Sequence, residues 1–379
     1  MKRHMMYVVA ALALLALPAA ARHGLKGQID LLASLGSPSR LCFNPVDNRI
    51  YCSQTGAGEW GVAVIDAGSE SYLTTVALPQ APGELVYAGG SGRVFTHDDG
   101  ATLWAIDCAT NAIDTSVMVG QGESDLAYNA AQDKLYTADV IMNGLLIYNS
   151  TTLAPLGGFT EVRGNLLYVE ALGKLFGIAN GRIYGIDGAS DAVIDSSEAI
   201  NAEAASKMAY NAANGKLYVT IPLQNEIRVL DAATTTVDTM FLMGLSITDI
   251  AYCPRDSSVY ASTFGIAKGG KQGASLLYRF TAGDSLADYP LDDGVQEMAY
   301  NPVDSLLYLL CTNGPGMMMR LFDPAPHAVT ENVDVAGSGG YRGLAVDAQG
   351  DVYTADYNLG LVYVVGRVPA IQWRSNPAS

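Results

Sequence analysis

The sequence predicts an all-β protein, a β-propeller built of four-stranded blades, and three observations lead to this fold class. Apolar residues and tyrosines alternate in short runs separated by turn-forming residues, as in residues 208–234, which is typical of an antiparallel meander. The pattern recurs every 40 to 48 residues, a repeat length typical of propellers and solenoids. A single strand-like segment precedes the first repeat, and the last repeat holds only three strands.

Two anchors fix the position of each repeat along the chain. The second strands centre on Tyr51, Phe95, Tyr136, Phe176, Tyr218, Tyr260, Tyr308 and Tyr353. The first strands carry their anchors seven or eight residues earlier, at Phe43, Tyr87, Tyr128, Tyr168, Tyr210, Tyr252, Tyr300 and Val346. Turn formers separate the two anchors, and a third and a fourth strand follow. Eight copies of this unit predict eight blades.

The ends of the repeat array predict how the ring closes. Residues 28–35 form the spare strand before the first unit, whereas the last unit ends with its third strand at residues 361–365. We expect the N-terminal strand to become the outer strand of the last blade, because closure removes the exposed edges that favour aggregation. The predicted organisation is one propeller domain at residues 22–368 and a C-terminal tail at residues 369–379.

Residues 1–21 have the composition of a signal peptide. Lys2 and Arg3 precede an apolar run at residues 5–17, and three alanines end at Ala21, where we expect cleavage. The apolar run is too short to cross a bilayer, so we expect no membrane insertion after cleavage. The predicted location is therefore secreted or periplasmic.

The charge balance and the histidine count restrict the possible partners and cofactors. The net charge is −16, and it becomes −18 when Lys2 and Arg3 leave with the leader. Such a surface repels phosphate backbones and anionic lipid, so nucleic acid is not an expected partner. After the leader the chain has only His23, His97 and His327, and its five cysteines match no haem or zinc spacing. We therefore expect no cofactor and no metal.

The repeat resembles a known family. The runs YNAANGKLYVT…IRVLDAATTTV and YNPVDSLLYLL…RLFD are similar to the YVTN-repeat β-propellers, which include surface-layer and YncE-like exported proteins. The resemblance spans the chain after the leader and implies the fold, but no shared catalytic residues. Units four and eight depart most from the pattern. Seven blades is the commoner number in such families, which leaves seven as the alternative count.

Aligning the repeats reveals a charged position three residues before each first-strand anchor. We call these residues the charge ring: Arg40, Glu84, Asp125, Asn165, Lys207, Asp249 and Glu297, with Gly343 at the eighth position. First strands line the central channel of a propeller, so the ring is predicted at one mouth of it. The residues could bind a ligand there. Alternatively, they form an inter-blade belt of ion pairs, such as Arg40 with Glu84 and Lys207 with Asp249.

The loops between the second and third strands are predicted on the same face as the charge ring. Loops on a rigid scaffold commonly carry binding residues. The predicted binding residues are Trp60, His97, Lys268, Lys271 and Tyr357. Within His97-Asp98-Asp99-Gly100, the Asp-Gly step favours an ordinary tight turn over a catalytic pair.

Two further patterns concern covalent and turn chemistry. If Phe43 faces Tyr51 across the first hairpin, Cys42 faces Cys52, which predicts a disulfide in an oxidising compartment. Two buried free thiols are the alternative.

The Asp that ends many third strands is followed by Ser or Thr three residues later, as in Asp66-Ala-Gly-Ser69, and this spacing predicts a turn rather than a metal site.

Two functional hypotheses follow from these patterns. The first is an exported, monomeric, non-enzymatic propeller that binds a protein, a cell-envelope component or a small ligand on the channel-mouth face. The alternative is a hydrolase or lactonase-like enzyme with its site at the central channel. A catalytic site of that kind needs a metal cluster or a histidine dyad at the ring.

Overall fold

The computed structural model describes residues 22–369, apart from 32–35, 57–59, 121–123, 140–143, 160–161, 163, 204, 265–274, 314–315, 336 and 338–339. It contains eight antiparallel four-stranded sheets arranged as the blades of a propeller. The prediction of eight blades is confirmed. Two short 3₁₀ turns, Glu170–Leu172 and Pro222–Gln224, are the only helical elements in the described ranges.

The strands follow the order predicted from the repeat. Blades 1 and 2 are β2 (Pro38–Asn44), β3 (Arg49–Thr55), β4 (Trp60–Asp66), β5 (Ser71–Leu78), β6 (Pro82–Ala88), β7 (Arg93–Asp98), β8 (Thr102–Asp107) and β9 (Ala112–Met118). Blades 3 and 4 are β10 (Ser124–Asn129), β11 (Lys134–Asp139), β12 (Gly144–Asn149), β13 (Pro155–Phe159), β14 (Leu166–Val169), β15 (Lys174–Ala179), β16 (Arg182–Asp187) and β17 (Val193–Ser196).

The second half of the ring repeats the arrangement. Blades 5 and 6 are β18 (Met208–Asn211), β19 (Lys216–Ile221), β20 (Glu226–Asp231), β21 (Val237–Leu242), β22 (Ser246–Cys253), β23 (Ser258–Phe264), β24 (Ser275–Phe280) and β25 (Leu286–Leu291). Blade 7 is β26 (Gly294–Asn301), β27 (Leu306–Asn313), β28 (Gly316–Asp323) and β29 (Ala328–Asp334). Blade 8 is β30 (Tyr341–Val346), β31 (Val352–Asp356) and β32 (Leu361–Val368), completed by β1 (Arg22–Asp30).

The N-terminal strand closes the ring as predicted. Strand β1 pairs antiparallel with β32, from Arg22 opposite Val368 to Asp30 opposite Leu361. The strand begins six residues earlier than the predicted segment 28–35. The early residues belong to the sheet because the third strand of this blade also runs further, to Val368, and gives them a partner.

The core lies between the blades and is built around the second-strand anchors. All eight of these aromatic side chains are fully buried. The residue that faces the anchor on the first strand is small in most blades: Ala127 faces Tyr136, and Ala209 faces Tyr218. A large ring on the second strand therefore has room to pack against the next blade, and burying a ring of this size contributes about 2–3 kcal/mol.

The recurrent third-strand Asp makes turns, which confirms the structural interpretation. Asp66 accepts hydrogen bonds from both the backbone N–H and the hydroxyl of Ser69, each at 2.7 Å. These hydrogen bonds hold the pKa of Asp66 below its usual value. The same two bonds form from Thr110 to Asp107, from Ser190 to Asp187 and from Thr234 to Asp231.

A basic residue that begins the second strand ties each of the first five blades to its neighbour. Lys134 Nζ donates to the carbonyls of Gly188 and Ala189 in the next blade, both at 3.0 Å. Lys174 does the same to Ala232 and Ala233. Arg49, Arg93 and Lys216 make related contacts to the next blade. This position lies two residues before the second-strand anchor and was not recognised from the sequence.

The predicted Cys42–Cys52 disulfide is wrong. Both thiols are free, because the register places Cys42 opposite Tyr51 and Cys52 opposite Leu41. Four turn residues separate Asn44 from its partner Arg49, and this turn sets a register one residue away from the predicted one. A one-residue shift moves a side chain to the other face of the sheet, so Cys42 and Cys52 point to opposite sides of blade 1.

Candidate functional site

The charge ring lies where the chain enters the innermost strand of each blade. The first strands of neighbouring blades contact one another around the channel, and the ring residues stand at their starts. The second strands end on the same face, because they run antiparallel to the first. The hairpins from the second to the third strand therefore surround the ring. We call this side of the propeller the ring face.

Both ion pairs of the predicted inter-blade belt are present. Arg40 Nε lies 2.9 Å from Glu84 Oε1, which joins blade 1 to blade 2. Lys207 Nζ lies 2.8 Å from Asp249 Oδ1, which joins blade 5 to blade 6. The first pair is partly exposed and contributes less than about 1 kcal/mol, as surface pairs do. Asp249 is buried, so its pairing is needed to offset the cost of desolvation.

The other acidic ring residues accept backbone N–H groups from the next blade. Asp125 Oδ2 accepts from Leu166 at 2.7 Å, and Asp249 Oδ2 accepts from Met298 at 2.7 Å. Glu297 Oε2 accepts from Gly343 at 2.9 Å. Each donor lies at or directly after the ring position of its own blade. The carboxylates thus satisfy strand ends that no ladder partner reaches.

The two neutral ring residues complete the belt. Asn165 donates its side-chain N–H to the carbonyl of Ser206, which precedes Lys207 in the next blade. Gly343 has φ +76° and its Cα lies so close to blade 1 that an added Cβ would stand 2.8 Å from the Ser39 carbonyl oxygen. Only glycine fits this position, because it combines a left-handed backbone with close approach of another chain segment. Six ring residues therefore bond the next blade at this mouth, namely Arg40, Asp125, Asn165, Lys207, Asp249 and Glu297, and Gly343 packs closely against blade 1.

Burial perturbs the protonation of two ring carboxylates. Burial raises the pKa of Asp125, although hydrogen bonds from Leu166 and Leu126 oppose the effect. Burial and the neighbouring charge of Asp249 raise the pKa of Glu297. A carboxyl group whose pKa is raised by burial beside a second carboxylate is an arrangement that hydrolases use for acid–base catalysis. Here Asp249 and Glu297 also accept the backbone N–H groups of Met298 and Gly343, so the belt accounts for the placement of both carboxylates.

The structure describes three of the five predicted binding residues, and these three differ in position and burial. Trp60 begins β4 and is half-buried, and Tyr357 lies half-buried in the turn after β31 on the ring face. The prediction that His97 lies in a loop is wrong, since it is buried within β7. Lys268 and Lys271 fall outside the described residues.

The turn after His97 does follow its sequence pattern. Asp98 accepts the indole N–H of Trp104 at 2.6 Å and the backbone N–H of Thr102 at 2.9 Å. The carboxylate thus caps the hairpin between β7 and β8.

Within the described residues, no group of three or more His, Cys, Asp or Glu side chains is placed to hold a metal ion.

A second feature lies at the other end of the first strands and was not recognised from the sequence. A cavity of about 480 Å³ is lined by residues from the first strands of blades 4, 5 and 6, and it includes the first-strand anchors Tyr168, Tyr210 and Tyr252. These anchors served only to locate the repeats in the sequence. Six of the eight first-strand anchors are tyrosine, but six of the eight fully buried second-strand anchors are tyrosine as well, so residue type alone does not show which rings line a cavity.

Comparisons with known proteins agree with the fold. No protein-family model matches the sequence, and no curated protein matches it. The C-terminal WD40 domain of Sif2 superposes with a TM-score of 0.69 at 12% identity, covering 91% of this chain and 99% of that one. The computationally designed Ika8 protein superposes with a TM-score of 0.67 at 14% identity, covering 90% of this chain and 100% of that one. At these identities the likeness establishes a WD40-type eight-bladed β-propeller fold.

Proposed function

We propose that this protein is an exported, monomeric, non-enzymatic propeller that binds a protein or cell-envelope partner on its ring face. The observation that carries the proposal is the apolar exposure of that face. Leu223 in the hairpin of blade 5 is 83% exposed, and Met118 and Leu242, at the ring-face ends of β9 and β21, are 78% and 69% exposed. Single exposed apolar residues are common on either face, but Leu223 and Leu242 belong to the same blade and both lie at its ring-face end, and such a pair favours an interaction surface.

The hairpin that carries Leu223 is held firmly, which suits a contact surface. The 3₁₀ turn Pro222–Gln224 ends at Asn225, whose carbonyl accepts the N–H of Met243 at 2.8 Å. The backbone N–H of Leu223 donates to Glu203 at 3.3 Å. Because the tip is fixed before binding, little conformational entropy is lost when a partner covers it. The net charge of −16 favours a partner with a neutral or basic contact surface.

Affinity capture tests the proposed surface. Immobilised wild-type protein is expected to retain a partner from an envelope extract, and L223E is expected to lose it, because a charge cannot be desolvated at the contact. V46E is the matched control, since Val46 is 75% exposed on the opposite face. Equal retention by wild type and L223E would contradict the proposal.

Export and family membership are part of the proposal. Cleavage after Ala21 would leave Arg22, the first residue of the closing strand, as the new N-terminus, so processing would spare the whole strand. N-terminal sequencing of the exported protein is expected to begin at Arg22. The repeat runs quoted above support kinship with the YVTN-repeat propellers.

The hydrolase alternative is favoured by one observation, the raised pKa of Glu297 beside Asp249. Lactone and ester hydrolysis, measured with and without divalent cations, separates the two functions. We expect no activity above background. Turnover that is lost in E297Q, with the fold intact by circular dichroism, would establish the enzyme instead.

A further inference from the structure

The cavity opposite the ring face is bounded by three equivalent strands. Strands β14, β18 and β22 each contribute three consecutive residues that include their tyrosine anchor, and Glu170, Ala171 and Ala212 follow these strands in the lining. The ring residues of the same strands lie at the other mouth and do not line it. The cavity is thus a separate feature from the charge ring and from the proposed partner surface.

Few of the side chains that line the cavity can form hydrogen bonds. Its only hydrogen-bonding side chains are Tyr168, Tyr210, Tyr252 and Glu170. The other side chains are those of Leu, Val, Ala, Met and Ile, so few groups could recognise the hydroxyls of a sugar. No basic side chain is present to bind an anion. The cavity offers three tyrosine side chains, apolar surface and one carboxylate.

The local electrostatics favour a positive charge. Glu170 is exposed and has no ion-pair partner among the described residues. Burial, together with the charges of Glu170 and Asp187, raises the pKa of Tyr168, so the tyrosine stays neutral and its ring keeps a negative face. One side of Tyr168 stacks on Tyr136, with ring centroids 6.1 Å apart, which holds the ring in place.

From this geometry we propose that the cavity binds a quaternary ammonium group. Several aromatic faces around an apolar space attract a cation that has lost its water, and a bulky alkylammonium loses its water at low cost. The carboxylate of Glu170 adds attraction without the tight hydrogen bonds that a primary amine would require. The site goes beyond the proposed partner surface, because it lies on the opposite face.

Isothermal titration with choline tests the proposal. Choline is expected to bind, whereas its neutral isostere 3,3-dimethyl-1-butanol is expected to bind at least ten-fold more weakly because it lacks the charge. Equal binding of the two compounds, or no binding of choline, would overturn the proposal. Failure of choline to bind leaves the capture experiment with L223E unaffected, so the two proposals fail independently.

Two variants localise the site. Y210L removes the central ring and is expected to weaken choline binding about ten-fold. Y300L is the matched control, because Tyr300 holds the same repeat position in blade 7 and does not line the cavity. E170Q changes an exposed side chain and is expected to weaken choline several-fold without affecting the fold. If Y210L and Y300L reduce binding equally, or if E170Q leaves it unchanged, the site is misplaced.

A vesicle experiment distinguishes two sources of the group. Co-sedimentation with phosphatidylcholine vesicles that choline competes away would assign the group to a lipid head group. Choline binding without co-sedimentation would assign it to a free small molecule. Vesicle binding that choline does not displace would contradict the proposed site.

Discussion

His23 on the closing strand links blade 8 to blade 7, and H23A is predicted to destabilise the ring. The imidazole Nδ1 lies 3.2 Å from Glu331 Oε1, and Nε2 lies 3.2 Å from Asp304 Oδ2. The side chains of His23 and Asp304 are only 7% and 4% exposed. Removing the imidazole leaves a buried carboxylate without its cationic partner.

The expected loss can be worked out from what remains around Asp304. Removing one partner of a buried ion pair costs about 3–5 kcal/mol when nothing replaces it. Asp304 still accepts hydrogen bonds from the Tyr308 hydroxyl at 2.7 Å and from the Leu306 N–H at 3.0 Å. We therefore expect a smaller loss, about 2 kcal/mol, which for a protein of this size lowers Tm by about 3 °C.

The destabilisation should depend on pH. Burial by itself would lower the pKa of His23, but the carboxylates of Asp304 and Glu331 outweigh it and raise the pKa. A raised pKa means that the folded state binds the proton more tightly than the unfolded state. The contribution of the charged His23 is therefore complete below the unfolded pKa of about 6.5 and disappears as pH rises through the folded pKa.

Urea unfolding of wild type and H23A between pH 5.5 and 9 measures this effect. The difference in unfolding free energy is expected to be largest near pH 6 and to shrink toward pH 9. Q28A is the control, since Gln28 is exposed on the same strand, and it should change stability by less than about 0.5 kcal/mol at every pH. A difference between H23A and wild type that does not vary with pH would refute the ion-pair explanation.

Three other outcomes are expected. G343A should lower the unfolding free energy by about 2 kcal/mol or more, whereas G215A, at a positive φ with open space around it, should cost about 1 kcal/mol in urea unfolding. D249A should cost about 3 kcal/mol in the same measurement and E84A less than about 1, because Asp249 is buried whereas Glu84 is partly exposed. Mass spectrometry without reductant should find Cys42 and its four counterparts as free thiols, and detection of a Cys42–Cys52 disulfide would contradict the register of blade 1.

The fold was predictable because the same strand pattern recurs eight times in the sequence. The second-strand anchors identify the blades, since each must be buried between neighbouring sheets, and all eight are. The register within a hairpin was harder to predict from the sequence. It depends on the number of turn residues and on a left-handed residue such as Asn48, with φ 53°, and the alternation of the strands alone does not reveal either.

The candidate site was predictable in part, for a related reason. Repeat alignment located the charge ring and paired Arg40 with Glu84 and Lys207 with Asp249, because equivalent positions in a ring are neighbours. It did not show that Asp125 and Glu297 would bond backbone N–H groups of the next blade. Backbone donors are present at every residue, and only the packed geometry shows which of them a side chain reaches.

The side chains of the first strand change in chemistry from its start to its end. Because this change recurs in the repeats, the two mouths of the channel differ. At the start of the strand, charged side chains reach sideways to the next blade and hold the strands at fixed spacing. At its end, the tyrosine anchors are half-buried, and three of them line the cavity. The belt at one mouth fixes the positions of Tyr168, Tyr210 and Tyr252 at the other, since both sets lie on the same short strands. Weakening the belt at Asp249 is therefore expected to reduce choline affinity, although Asp249 lies outside the cavity, and unchanged affinity in D249N would show that the two mouths are independent.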